Sequence, residues 1–233
     1  MGLELTVGIL PATAAANAID RNAFYYDQFA AINAVLRELG LPEHHEPETL
    51  RDNAPPLIIT MYGHTGLHTL RRIAAHLWAG LGVPEPARRS AAGVPDATGD
   101  PVLERYFDAV RGWMGPESHR CPMAYEHLIV HSEDRGYYLP QRFPQVLLTR
   151  ASAGIAGTMI GSAPVLLDEC RQVLGALGVP PELARDDERV RAAFSLQGRG
   201  TGWARYGIEV QTCLNLRDAC LAAIEQGAAL VFT

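Results

Sequence analysis

Two histidines stand four residues apart in His127-Leu128-Ile129-Val130-His131, ahead of Ser132-Glu133-Asp134-Arg135-Gly136 and Tyr137-Tyr138-Leu139. Imidazole changes charge near neutral pH and is the commonest metal ligand, so a pair of them invites acid–base or metal chemistry. Tyr125 to Ser132 reads as a strand, and along a strand residues 127, 129 and 131 share one face. Both rings would then flank one ligand, although their separation is wide for a single metal ion without adjustment. Asp134, or Glu133 beside it at the turn, would orient an imidazole. A solvent-facing polar strand with an ordinary turn explains the same residues without any site.

A second group is Tyr62-Gly63-His64-Thr65-Gly66-Leu67-His68, at a predicted strand-to-helix junction. Such junctions bring backbone N–H groups to small ligands. The zinc-protease pattern needs a glutamate after the first histidine, and Thr65 stands there instead. With Thr65 as N-cap, His64 lies outside the helix and pairs poorly with His68. The candidate pocket therefore comprises His127, His131, Asp134, Tyr62, His64 and His68, with His127 and His131 the only metal candidates and no metal or cofactor expected.

Other motifs have simpler readings. The glycines from Gly154 to Gly161 lead to Ser162, a helix cap, but no lysine follows and the dinucleotide spacing is absent. Gly198 to Gly202 reads as a second flexible connection. His119-Arg120-Cys121-Pro122 sets a thiol near an imidazole on a loop, which does not make them converge. No Gly-x-Ser-x-Gly elbow occurs.

The elements that must position these residues follow from periodicity. Leu3, Leu5, Val7 and Ile9 alternate as a strand ended by Pro11, with an alanine-rich loop after it. Tyr25, Phe29, Ile32, Leu36 and Leu39 recur at helical spacing. Residues 57–62 read as a strand and 66–78 as a helix. The stretch from Val83 to Asp100, rich in Pro, Gly and Arg, reads as an exposed flexible loop. Asp100-Pro101 opens a helix. Tyr137-Tyr138-Leu139 returns as the partner in a hairpin, and Leu166, Cys170, Val173 and Leu177 mark a further helix. A short helix surrounds Glu188 to Leu196. The longest runs from about Tyr206 to Gln226, burying Val210, Cys213, Leu214, Cys220, Leu221 and Ile224. Ala228 to Phe232 is the last strand.

Composition narrows the class. Of 233 residues 48% are hydrophobic and 20% charged, the balance of a folded globular chain. The formal charge is −6, and the twenty basic residues are all arginine, never more than two in a row. Direct binding to nucleic acid needs a concentrated positive surface, which this sequence lacks, so no nucleic-acid partner is expected. No stretch has the roughly 20 apolar residues of a membrane span. Cys213 and Cys220, about 10 Å apart along one helix, cannot bridge, and with Cys170 they read as core residues of a reducing compartment. The expected location is cytoplasmic.

Four segments carry a resemblance: residues 61–72 (Met61-Tyr62-Gly63-His64 through Arg71-Arg72), 131–140 (His131-Ser132-Glu133 through Leu139-Pro140), Gly161-Ser162, and Arg205-Tyr206-Gly207-Ile208-Glu209. Together the chain resembles a family of uncharacterised bacterial cytosolic proteins, which implies a bacterial, single-domain protein and no catalytic residue. The expectation is one α+β domain over residues 1–233, with six helices packed on a mixed sheet of about four to six strands. Both terminal strands belong to that sheet. Acidity without a catalytic signature points to a protein-binding module of the immunity or inhibitor kind. The alternative is a small-molecule or metal-assisted hydrolase using His127, His131 and Asp134 with His64 or His68.

Overall fold

The computed structural model describes residues 3–61, 63–87, 95–111, 122–132 and 135–233. Among these, eight α-helices accompany one six-stranded mixed sheet. The chain divides into two compact units.

The second unit, residues 3–60, 131–167 and 218–233, contains the whole sheet. Its strands are β1 (Glu4–Val7), β2 (Leu57–Thr60), β3 (Gly136–Leu139), β4 (Leu147–Leu148), β5 (Met159–Ser162) and β6 (Leu230–Phe232), in the order β2-β1-β6-β3-β5-β4. Only β3 and β5 run parallel, with Tyr138 opposite Gly161; every other pairing is antiparallel. β6 is central, with Val231 facing Thr6 on one side and Tyr137 on the other. A strand flanked on both sides and buried on both faces reads as a continuous apolar run, and Leu230-Val231-Phe232 is one.

Gly8, at φ 82°, turns the chain from β1 directly into helix α1 (Ile9–Ala15). The alanine-rich stretch read as a loop is thus helical, because Pro11 sits in the first turn, where a missing N–H costs nothing. Helix α2 (Ile19–Glu38) follows, six residues longer at its start than its apolar spacing indicates. Its stripe of Tyr25, Phe29, Ile32 and Leu36 joins Tyr137, Leu139, Ile160 and Val231 in one buried cluster. The Phe29 and Tyr137 rings meet edge to face at 5.7 Å. The Gln28 side chain satisfies both of its polar ends in this core, donating to the Gly154 carbonyl at 2.9 Å and accepting from Ala156 N–H at 2.7 Å.

The first unit holds helices α3 (Gly63–Trp78), α4 (Pro101–Arg111), α5 (Glu126–Ile129) and α7 (Glu188–Ser195). It also takes in α6 (Ala163–Ala176) from Asp168 and α8 (Gly207–Gln226) through Arg217. Where α3 meets α8, Gly66 faces Thr212 and Ile208 so closely that a Cβ would collide with the Thr212 hydroxyl. Asp100 caps α4, accepting from the Val102 and Leu103 N–H groups at 3.0 and 3.1 Å. The residues of the Val83–Asp100 segment that are described carry no helix.

Three expectations change. Residues 126–129 are a helical turn, not a strand, entered through Tyr125 at φ 62°. β3 consequently has no hairpin partner before it, and pairs with β5 and β6 instead. Residues 159–162, read as part of a glycine-rich connection, form β5. In α8 the stripe holds at Val210, Cys213, Leu214 and Cys220, whereas Leu221 and Ile224 face outward.

Candidate functional site

His127 is fully buried on α5, and His131 is buried in the second unit. The common strand face that would aim both rings one way does not form, because 126–129 coil. The cause is remote in sequence: the Glu169 carboxylate, on α6, accepts from the His127 and Leu128 N–H groups at 3.2 and 2.7 Å. It thereby serves the first turn of a helix whose own residues offer no cap. Burial pushes the Glu169 carboxyl up to about 8 against the pull of those two donors. Arg71 Nε donates to the Leu128 carbonyl at 3.0 Å from α3, fixing the other end of the turn.

His131 stacks on Tyr138 with ring centroids 3.9 Å apart, and its two nitrogens lie 3.0 and 3.1 Å from the carbonyls of Ser132 and Tyr137. That is a packed ring. His64 and His68 both fall inside α3, contrary to a start at Thr65, and both are exposed. Tyr62, Asp134, Glu133 and Cys121 lie outside the described residues. Among the described residues no group of three or more His, Cys, Asp or Glu side chains could hold a metal ion. No described helix is long and apolar enough to cross a membrane.

What the histidine motifs do not supply, charge does. Counted over its full range, the second unit carries twelve acidic residues against six arginines, and the first unit fourteen of each. The whole net charge of the chain therefore belongs to the unit built on the sheet.

Within that unit α2 organises the acids. Asp20, Asp27 and Glu38 are seven and eleven residues apart, which places them within about 20° of one line along the helix. The buried residues Tyr25, Phe29, Ile32 and Leu36 occupy the opposite side, so the line faces away from the core, and all three acids are exposed. The row spans about 27 Å at 1.5 Å per residue. The two arginines of α2 lie off it, and Arg37 is drawn to Glu43, with Nε 3.5 Å from the carboxylate.

A second row runs beside the first. After α2 the chain returns antiparallel to it: Asn33 holds His44 through two 2.8 Å bonds, and Tyr26 donates to Glu48 at 2.7 Å. That bond raises the Tyr26 phenol pKa, since the carboxylate accepts the hydroxyl proton. The return is anchored by Glu46, whose side chain is 1% exposed and accepts from His44 Nε2 at 2.8 Å and from Ala229 N–H at 2.7 Å. Glu43, Glu48 and Asp52 stay exposed along it. Periodicity in α2 was open to sequence reasoning; the returning row was not, because it depends on bonds between residues 11 and 22 apart.

A family model described as "Putative DNA-mimic protein" matches residues 1–232. No curated protein and no solved structure matches the chain. The match corrects two expectations, since neither an immunity or inhibitor module nor a metal-assisted hydrolase fits such a family. Nucleic acid, set aside for want of a basic surface, is what the description of that family names as the thing mimicked. A sequence acidic over one unit and covered by that model over residues 1–232 belongs to the family described as putative DNA-mimic proteins.

Proposed function

We propose that the chain occupies the DNA-binding surface of a DNA-binding protein, presenting carboxylates where that surface expects phosphates. The observation that carries this reading is the outward row of Asp20, Asp27 and Glu38 on α2, flanked by Glu43, Glu48 and Asp52. A surface evolved for DNA concentrates arginine and lysine, and complementary potential both steers encounter and selects the partner. The α2 intervals of about 10.5 and 16.5 Å lie near three and five steps of a DNA strand, at roughly 3.4 Å per step.

Charge density separates the mimic from its model. Duplex DNA carries about one charge per 1.7 Å and a condensed layer of counterions, whose release drives its binding. Three carboxylates over about 27 Å condense few, so the complex gains less from ion release and loses less as salt is raised. The mimic should compete best at the salt concentrations that weaken DNA.

The test uses a panel of purified DNA-binding proteins, the immobilised full chain and a short DNA duplex as competitor. The expected result is a panel member that binds the chain, is displaced by the duplex, and shows a shallower salt dependence toward the chain than toward DNA. Binding that persists under saturating duplex, or no binding across the panel at low salt, overturns the reading.

A further inference from the structure

The second unit has a groove of about 510 Å³ beside the acidic rows, between α1, the start of α2 and the returning segment at Glu48-Thr49. Leu10, Ala14, Ile19 and Ala23 give it apolar surface among polar lining residues, and Tyr26 and Glu48 stand at one side. Ile19, the first residue of α2, is 80% exposed.

The polar groups of the groove discriminate by charge. Asn22 Nδ2 is engaged with the Leu10 carbonyl and Thr13 Oγ1, and the Thr13 hydroxyl donates to the Ile9 and Leu10 carbonyls. The donors of Asn22 and Thr13 are thus directed into the fold, and Asn17 and Thr49 complete the polar lining. The C-terminal end of α1 and the N-terminal end of α2 both border the groove, with partial charges of opposite sign. The one formal charge in the lining is the Glu48 carboxylate, and no basic side chain is among the described lining residues. Glu48 Oε1 accepts from Tyr26, and the carboxylate keeps further lone pairs for an incoming donor.

We propose that this groove receives an arginine-bearing segment of the DNA-binding protein; the proposal rests on the reading above and adds its contact chemistry. Arginine fits all three features at once. Its methylene stem lies along Ile19, Ala23 and Leu10 while the head stays wet. Its planar guanidinium stacks on an aromatic ring such as Tyr26. Its paired N–H groups meet a carboxylate in a way that an ammonium does not. DNA-binding surfaces are where such arginines stand, ready for phosphate. A row of carboxylates alone imitates DNA's charge; an apolar slot with one carboxylate grips the stem as well, which DNA's phosphate backbone does not.

The test titrates the isotope-labelled full chain with a blocked peptide containing one arginine, alongside its lysine and citrulline counterparts, and follows backbone amide signals. The expected result is saturable shifts at Ala14, Ala23 and Thr49 with the arginine peptide, weaker ones with lysine, and none with citrulline. Glu48→Gln should weaken the arginine peptide about 1.5- to fivefold, the range for an exposed charge pair. Ala23→Trp, which fills the groove from an exposed helix position, should abolish the shifts; Ala23→Ser keeps the test valid if the larger variant does not fold, and should leave them. Shifts centred elsewhere, equal response to citrulline, or indifference to Glu48→Gln would overturn the proposal. No DNA-binding protein enters this experiment, so its failure leaves the displacement test standing, and the reverse holds too.

Discussion

Tyr26 donates its hydroxyl to the Glu48 carboxylate at 2.7 Å across 22 residues of chain, and this bond ties the returning acidic row to α2. The phenol is raised above its usual value chiefly by that acceptor. Replacing Glu48 by Gln should therefore bring the Tyr26 titration back toward that of a free tyrosine, read from the carbon shift of its labelled ring. A titration unmoved by Glu48→Gln would mean that the return segment is not held against α2 in solution.

The outward row makes a prediction that separates binding from folding. Neutralising Asp20, Asp27 and Glu38 together, as Asn, Asn and Gln, should leave stability within about 0.5 kcal/mol, because none of them is buried. Association with the DNA-binding protein found by displacement should slow about tenfold or more at low salt, with dissociation less affected. An unchanged association rate would place the partner's contact on some other face.

Glu169 gives a pH dependence with a defined sign. Its carboxyl is raised to about 8 in the folded chain from an ordinary value of 4.5. Between those two values the folded state holds a proton that the unfolded state has released, so this group's contribution to stability is complete below about 4.5 and is lost as pH rises through about 8. Urea midpoints from pH 5 to 9 should show the chain losing ground to Glu169→Gln by on the order of a few kcal/mol. The variant forfeits one acceptor for the α5 N–H groups at every pH, a constant offset. A difference that stays flat across the range would show that Glu169 titrates normally.

Gly161 stands on β5 directly opposite Tyr138, and a Cβ there would run into the Tyr138 ring and come within 3.0 Å of His131 Cδ2. Gly161→Ala should cost about 1–3 kcal/mol as an overpacked site. Adding Tyr138→Leu should recover part of that loss, measured by thermal unfolding of the single and double variants. Full additivity of the two changes would mean the stack does not close over the glycine.

Long apolar repeats were readable in advance because they answer to local periodicity. The stripe of α2, the capped start of α4, the spacing of Leu166, Cys170 and Val173, and the run Leu230-Val231-Phe232 all appear where the pattern puts them. The mixed α+β sheet with a strand from each terminal segment followed from them. Residues 125–132 misled because a short apolar run such as Leu128-Ile129-Val130 suits a strand and a buried helical turn alike, and the deciding interaction is not local: Glu169, about 40 residues on, takes the N–H groups that a neighbouring strand would have taken. β5 was hidden by its glycine, which is there to admit the Tyr138 ring. The acidity was plain as a sum, but its concentration in one unit was not, since that unit is assembled from three separated stretches.

The central place of β6 bears on when the acidic face comes into being. Phe29 and Ile32 of α2 share their apolar cluster with Val231, some two hundred residues downstream. At a synthesis rate of about 5–20 residues per second, α2 therefore waits on the order of ten seconds or more before the last part of its seat is made. A growing chain carries every carboxylate of the row long before the seat of α2 is complete, so the competition with DNA proposed above is expected of the finished fold and not of the nascent one.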